Sequence, residues 1–99
     1  MSIIELAEEV GEDFERIFDH LTTYKVEDPE LRIQSIIEAI NVLEHNPQIG
    51  RPAANGKREL VIGHGSSGYI ALYRYIEEID TVFVLAIRSQ RESGYSEHG

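Results

Sequence analysis

The stretch over residues 57–88 constrains the fold most strongly, because its apolar residues alternate in three successive runs. Neighbouring side chains of a β-strand point to opposite faces, so such alternation predicts strands. Glycines separate the first two runs, and a short polar link separates the second from the third. Both connections favour tight turns. We therefore predict a three-stranded antiparallel meander over residues 57–62, 69–75 and 81–88.

The second and third runs divide their side chains between two faces. Period-2 geometry puts on one face of the second run Tyr69, Ala71, Tyr73 and Tyr75, and on the other Ile70, Leu72 and Arg74. The same geometry puts on one face of the third run Val82, Val84, Ala86 and Arg88, and on the other Phe83, Leu85 and Ile87. Apolar groups on both faces predict that the third strand is central in the sheet.

The first half of the chain predicts one strand and two helices. Two isoleucines favour a short edge strand over residues 2–6, and apolar residues at helical spacing predict a helix over residues 8–24. A second helix is predicted over residues 29–45, with the Asp28 carboxylate as its N-cap, and residues 47–56 are predicted to form a loop. The apolar stripes of the helices are Val10, Phe14, Ile17, Phe18 and Leu21, then Ile33, Ile36, Ile37, Ile40 and Leu43.

These elements predict an α+β fold. An N-terminal strand and an α-helical hairpin precede the three-stranded antiparallel meander, and the helices pack on one face of the sheet. The 99 residues suit a single domain over residues 1–99. The polar end of the chain predicts partial disorder beyond Tyr95, over about residues 96–99.

The net charge of −9 lies wholly in the helical half. Residues 1–50 contain three basic and twelve acidic side chains, whereas residues 51–99 contain six of each. One interpretation is that the acidic helices form a well-solvated face that keeps a small domain soluble. The other is that the neutral sheet half presents a local basic patch to a macromolecule.

Other features of the chain disfavour several classes of protein. It has no cysteine, which fits a cytoplasmic protein without disulfides or thiolate metal sites. No membrane span or secretion signal is predicted, because no apolar run approaches about 20 residues. The GxGxxG pattern over residues 63–68 precedes a strand rather than a helix, and the four histidines lack metal-ligand spacing. We therefore predict no cofactor and no metal site.

Basic residues and tyrosines of the second half are the remaining candidates for a functional site. They are Lys57, Arg58, Arg74, Arg88 and Arg91, with Tyr69, Tyr73, Tyr75 and Tyr95. Their long stems could simply cover apolar sheet surface while the guanidinium groups pair with nearby carboxylates. Alternatively they bind a phosphate backbone or a protein, since arginine and tyrosine are frequent at binding hot spots.

Several motifs follow one another in an order that resembles a known family. They are NPQIGRP at residues 46–52, REL at 58–60, GYIALYRY at 68–75, VLAIR at 84–88, then Arg91, Glu92 and Tyr95. Their order and spacing resemble the RelE/ParE superfamily of bacterial type II toxin–antitoxin toxins, which includes plasmid stabilisation proteins. The resemblance covers nearly the whole chain.

This resemblance implies a toxin that a cognate antitoxin neutralises, as a homodimer or a toxin–antitoxin hetero-oligomer. ParE-like members poison DNA gyrase, and RelE-like members cut messenger RNA on the ribosome. For gyrase, or another protein target, we expect contacts from Lys57, Arg58, Tyr73, Arg74, Tyr75, Arg88 and Arg91. For a nuclease, the resemblance implies Arg58, Arg91 and Tyr95 as the catalytic set.

Two departures from the RelE-like pattern favour a binding toxin. Ile70 stands where that pattern has an arginine, and Ser89 and Gln90 stand where a histidine is common. Losing one electrostatic donor to a transition state commonly costs about 2.7–4 kcal/mol of barrier. The leading hypothesis is therefore a ParE-like gyrase toxin, with the ribosome-dependent endoribonuclease as the alternative and a degenerate, non-toxic member that only assembles with its antitoxin as the third.

Overall fold

The computed structural model describes residues 1–91, apart from the side chain of Ser66. The helices are α1 (Glu8–Thr23) and α2 (Pro29–Asn41), and a 3-10 turn at Val42–Glu44 follows α2. The strands are β1 (Ile3–Leu6), β2 (Arg51–Pro52), β3 (Arg58–Ile62), β4 (Tyr69–Ile76) and β5 (Thr81–Ser89). The predicted α+β fold is confirmed, whereas Tyr95 and the predicted flexible tail lie outside the described residues.

One five-stranded sheet has the order β1-β5-β4-β3-β2. The edge position of β1 and the central position of β5 are confirmed, since β5 pairs in parallel with β1 and antiparallel with β4. The predicted loop over residues 47–56 is wrong in one respect, because it contains β2. Arg51 pairs there with Glu59, and Pro52 pairs with Arg58. Two residues cannot show an alternating pattern, so the sequence could not indicate this strand.

A β-bulge changes the predicted faces of β5. Leu72 pairs with Ala86 but Tyr73 pairs with Val84, which leaves Leu85 as an extra residue in β5. One extra residue reverses the alternation beyond it. Ile87 therefore joins the core with Val82 and Val84, and the predicted grouping of these valines with Ala86 and Arg88 is wrong.

Both helices pack on the face of the sheet that carries the tyrosines of β4. The buried core residues are Val10, Ile17, Leu21, Ile36, Ile40, Leu43, Tyr69, Ala71, Tyr73, Val82, Val84 and Ile87. Burying each large apolar side chain contributes about 1.5–3 kcal/mol. The predicted helix stripes supply six of these residues, whereas Ile37 is 42% exposed on the outside of α2.

Asp28 does not cap α2 as predicted. Its backbone is left-handed, with φ of 51° and ψ of 59°, and its side chain makes no capping hydrogen bond. A capping side chain ordinarily needs an extended backbone in order to reach the first N–H groups of the helix. Pro29 nevertheless begins the helix, as its fixed φ favours.

An ion pair on α1 takes the place of a neighbouring strand beside the end of β5. The pairing with β1 ends at Val84, so the backbone of Ile87 has no strand on that side. The fully buried Asp13 accepts a 2.9 Å hydrogen bond from Ile87 N, and Arg16 donates to Ile87 O at 3.1 Å. Arg16 also donates to Asp13 at 2.6 Å. The pair therefore satisfies both backbone groups of Ile87 and joins α1 to the sheet.

A hydrogen-bonded cluster joins the start of β1 to the turn between β4 and β5. The Asp80 carboxylate accepts from the Ser2 hydroxyl at 2.6 Å and from the Tyr75 hydroxyl at 2.7 Å. Ile3 N donates to Asp80 O at 3.0 Å. The hydrogen bond from Ser2, followed by that from Tyr75, lowers the pKa of Asp80. The carboxylate form of Asp80 therefore stabilises this junction.

We predict that Asp13→Ala lowers the free energy of unfolding by about 1–3 kcal/mol, because it leaves a buried backbone N–H without an acceptor. Asp13→Asn should lose less, since its amide oxygen can still accept. Urea unfolding followed by circular dichroism measures both. The matched control is Glu15→Ala, on the exposed side of the same helix. Equal losses for Asp13→Ala and Glu15→Ala would contradict the role given to Asp13.

We predict that the contribution of Asp80 to stability depends on pH. Its pKa is lower in the folded chain, so its stabilisation is present above the unfolded value of about 3.9 and is lost as pH falls through the folded value. Between about pH 5 and pH 2, the wild type should lose more stability than Asp80→Asn. Asparagine tolerates the left-handed backbone at this position, where φ is 46°. Urea unfolding at each pH measures the free energy of unfolding of both proteins. Equal losses of stability in the wild type and in Asp80→Asn across that range would show that this carboxylate contributes nothing.

Candidate macromolecule-binding surface

The sheet places the predicted site residues on two different faces. Residues directly opposite each other in an antiparallel pair share a face. Arg58 lies opposite Tyr73, on the face that the helices cover, whereas Arg74 lies opposite Phe83 on the other face. Arg88 lies opposite Ile70 and shares that second face. The predicted set therefore does not converge on one surface.

Tyr73 belongs to the core and has no exposed surface. Its hydroxyl accepts a 2.8 Å hydrogen bond from Gly50 N, and burial raises its pKa above the ordinary value. A Cβ at position 50 would lie 2.7 Å from the Tyr73 ring, so only glycine allows this close approach. Tyr73 thus positions the loop before β2 and presents no atom to a target, contrary to the prediction for this residue.

Arg58 also holds the loop before β2, through the carbonyl groups of that loop. Its guanidinium donates to Gln48 O at 3.1 Å and to Gly50 O at 2.8 Å. These bonds give the NPQIGRP motif a structural role, because they fix the backbone that leads into β2. Lys57, at the entrance to β3, is half-buried.

Tyr75 and Tyr69 also lie on the helix-covered face. Tyr75 packs against the core and donates its hydroxyl proton to Asp80, and this hydrogen bond is the main cause of its raised pKa. A raised pKa keeps the phenol neutral, which is the opposite of what a general base requires. Tyr69 is buried, with 7% of its surface exposed. Neither residue is arranged for proton abstraction.

Neither helix covers the second face of the sheet, which we call the open face. Its residues are Arg51, Glu59, Val61, Ile70, Leu72, Arg74, Ile76, Thr81, Phe83, Ala86 and Arg88. Leu72 and Phe83 are half-buried, and Val61 is 45% exposed. The open face is therefore an apolar surface with charged residues at intervals.

The arginines of the open face are partly engaged by the protein itself. Arg74 donates to Asn55 O at 2.7 Å and so holds the turn before β3. Arg88 donates to Ser89 O at 3.3 Å. Glu59 accepts a 3.0 Å hydrogen bond from Arg51 across the β2–β3 pair. Each guanidinium has five N–H donors, so the bond to Asn55 O leaves Arg74 with donors for a partner.

The residues expected of a nuclease are not brought together in residues 1–91. Arg58 lies opposite Tyr73, whereas Arg91 follows the end of β5, beside Tyr69. Tyr69 and Tyr73 are four residues apart on β4, or roughly 13 Å along the strand. Ile70, at the position where an arginine is expected, is only 3% exposed. Tyr95 lies outside the described residues.

The sequence interpretation missed a basic cleft at one end of the molecule. Arg16 and His20 of α1, Arg32 of α2 and Arg91 line two adjoining hollows there. Arg16 and His20 are one helical turn apart, which is the only sequence signal that could have indicated their common location.

Over residues 1–91, no group of three or more histidine and acidic residues has an arrangement that could hold a metal ion. Neither helix in that range has the length and hydropathy needed to cross a membrane.

Comparisons with solved structures show the same fold. A chain of the chromosomal ParDE TA system from P. aeruginosa matches with a TM-score of 0.72 and 23% identity, over 90% of this chain and 96% of that one. A chain of the toxin-antitoxin complex RelBE2 from Mycobacterium tuberculosis matches with a TM-score of 0.64 and 19% identity, over 90% of this chain and 98% of that one. A chain of the E. coli RelBE complex matches with a TM-score of 0.64 and 15% identity, over 93% of this chain and 100% of that one.

Sequence comparison identifies the family within this fold. A search of the curated proteins finds no match. The family model described as ParE toxin of type II toxin-antitoxin system, parDE, matches residues 4–94. Because that match spans most of the 99 residues, the chain belongs to the ParE toxin family of type II toxin–antitoxin systems.

Proposed function

We propose that this toxin arrests growth by binding a protein, that DNA gyrase is this target, and that a cognate antitoxin neutralises it. The observation that carries the proposal is the apolar open face. Leu72 lies there beside Arg74 on the same strand, and Phe83 lies directly opposite Arg74. Half-buried apolar groups beside arginine are typical of the centre of a protein interface.

Electrostatics support a protein rather than an RNA partner at this face. A phosphate backbone requires several cations along its path, because phosphate contacts supply much of the affinity for nucleic acid. Of the three arginines on the open face, Arg51 is paired with the Glu59 carboxylate and Arg74 is bonded to the Asn55 carbonyl. The helical half adds a net charge of −9. An extended polyanion would gain little attraction here.

Gyrase is proposed on the basis of the family, since ParE-like toxins poison this enzyme. The chain's own geometry fits a mechanism without catalysis. The phenols of Tyr73 and Tyr75 have raised pKa values, and Arg58 holds the loop before β2. Binding of this kind therefore requires no general base from the described residues. Tyr73, Gly50 and Arg58 position the loop, while Arg74, Arg88, Leu72 and Phe83 contact the target.

We predict that the purified chain inhibits supercoiling by gyrase and accumulates covalent gyrase–DNA complexes. Ribosome-bound messenger RNA should remain intact in a translation assay with the same preparation. An excess of the chain that leaves supercoiling unchanged would exclude gyrase. Message cut within codons would instead support the nuclease alternative with Arg58, Arg91 and Tyr95. No growth arrest on induction without the neighbouring gene would support a non-toxic member.

We predict that Arg74→Ala combined with Arg88→Ala weakens target binding by about 30-fold or more, if each residue is a hot spot worth about 1 kcal/mol or more. The melting temperature should change by only a few degrees, because both side chains lie outside the helix-covered core. Surface plasmon resonance against immobilised gyrase subunits measures binding, and calorimetry measures melting. Gln34→Ala is the control, since Gln34 is exposed on α2, away from the open face. A large drop in melting temperature, with binding by the folded fraction unchanged, would show that the two arginines are structural.

A further inference from the structure

The basic cleft lies where the second half of α1 meets the start of β4 and the end of β5. It consists of two adjoining hollows of about 190 and 230 Å³. Four residues line both hollows: His20, Tyr69, Ser89 and Arg91. The cleft is therefore continuous, and it is distinct from the open face, because Tyr69 points to the helix-covered side of the sheet.

All charged groups that line the cleft in the described part of the chain are basic. They are Arg16, Arg32 and Arg91, with the His20 imidazole beside them, and no carboxylate of residues 1–91 lines either hollow. This is unusual in a half of the chain with twelve acidic residues. At physiological ionic strength charges act over about 8 Å, so a local cluster of arginines attracts an anion despite the net negative charge.

Arg32 gives this cluster a cation available for a ligand. Arg16 already binds Asp13 and Ile87 O. By contrast, the Arg32 guanidinium makes no ion pair or side-chain hydrogen bond with any residue in the range 1–91. Arg32 lies on α2 and Arg91 follows β5, so the two guanidinium groups approach the cleft from different elements. Guanidinium groups bind carboxylate and phosphate oxygens through paired N–H donors.

Apolar groups complete the cleft. Leu21 and Val26 line one hollow, Ile17 lines the other, and the Tyr69 ring lies in both. An occupant that places an anionic group on the arginines would therefore place an adjacent apolar group on these side chains. The size of each hollow suits one or two amino-acid side chains.

We propose that the cleft is an anchoring site for a partner polypeptide, in which an acidic side chain binds Arg32 and Arg91 and a neighbouring apolar side chain packs on Leu21, Val26 and Tyr69. Nucleic acid fits less well. A phosphate chain leaving the cleft would pass the acidic surface of α1, where Glu15 and Asp19 are exposed. A peptide can present one carboxylate and then continue with uncharged residues. Under the proposed function, this partner is the antitoxin.

The test is a titration of the full, isotope-labelled chain, in which changes of the NMR amide shifts report binding. The probe is a blocked pentapeptide of alternating leucine and glutamate, compared with its leucine–glutamine counterpart, inorganic phosphate and a short single-stranded RNA. We expect the acidic peptide to shift the amides of Leu21, Gly68 and Ser89. The glutamine peptide should bind about tenfold more weakly or worse, because the charged hydrogen bonds are lost.

Variants identify the groups responsible. Arg32→Gln combined with Arg91→Gln should weaken binding of the acidic peptide by about tenfold or more. Arg51→Gln, an exposed arginine of the edge strand β2, should leave its affinity unchanged. Equal binding by the double variant, peptide-induced shifts elsewhere on the chain, or tighter binding of RNA or phosphate in the cleft would each overturn the proposal. The titration contains no gyrase, so its failure is independent of a failure of the proposed function.

Discussion

The burial of one face of the sheet under two helices determines which surfaces of this toxin can meet a partner. The tyrosines of β4 occupy that face, and Tyr73 has no exposed surface at all. Its hydroxyl bonds to Gly50, and Arg58 bonds to the carbonyl of the same glycine. The aromatic face is therefore used to build the core and to hold the loop before β2. The open face is the side of the sheet that neither helix of residues 1–91 covers.

The central strand β5 needs partners on both of its edges, and two different elements supply them. β4 pairs along one edge, while β1 covers only Thr81 to Val84 on the other. The buried Asp13 and the half-buried Arg16 satisfy Ile87 beyond that point. A buried carboxylate is costly unless it is fully hydrogen-bonded. In this toxin the cost is offset because the same pair fixes α1 against the sheet and turns Arg16 towards the basic cleft.

The sequence predicted the positions of the helices and strands better than it predicted the strand register and the side-chain contacts between them. Alternation located β3, β4 and β5, and helical spacing located α1 and α2, because these signals are local and repeat over many residues. The bulge at Leu85 could not be predicted, since it depends on how β5 meets β4 and leaves no mark on composition. The same limit applies to Asp28, whose type suits an N-cap but whose left-handed backbone turns it away from that role. Asp13 looked like one more acidic residue near a helix start, although it is fully buried.

The candidate site was likewise predicted better in its residue types than in its three-dimensional arrangement. Type and spacing selected arginines and tyrosines, but the face on which each lies depends on register and on where the helices pack. The chain has no cysteine, so a single introduced thiol can report which face a target covers. The most direct measurement is the thiol-labelling rate of Val61→Cys, on the open face, and of Ile37→Cys, on the outside of α2, with and without gyrase. The account predicts protection of the Val61→Cys thiol alone; protection of the Ile37→Cys thiol with unchanged labelling at Val61→Cys would contradict it.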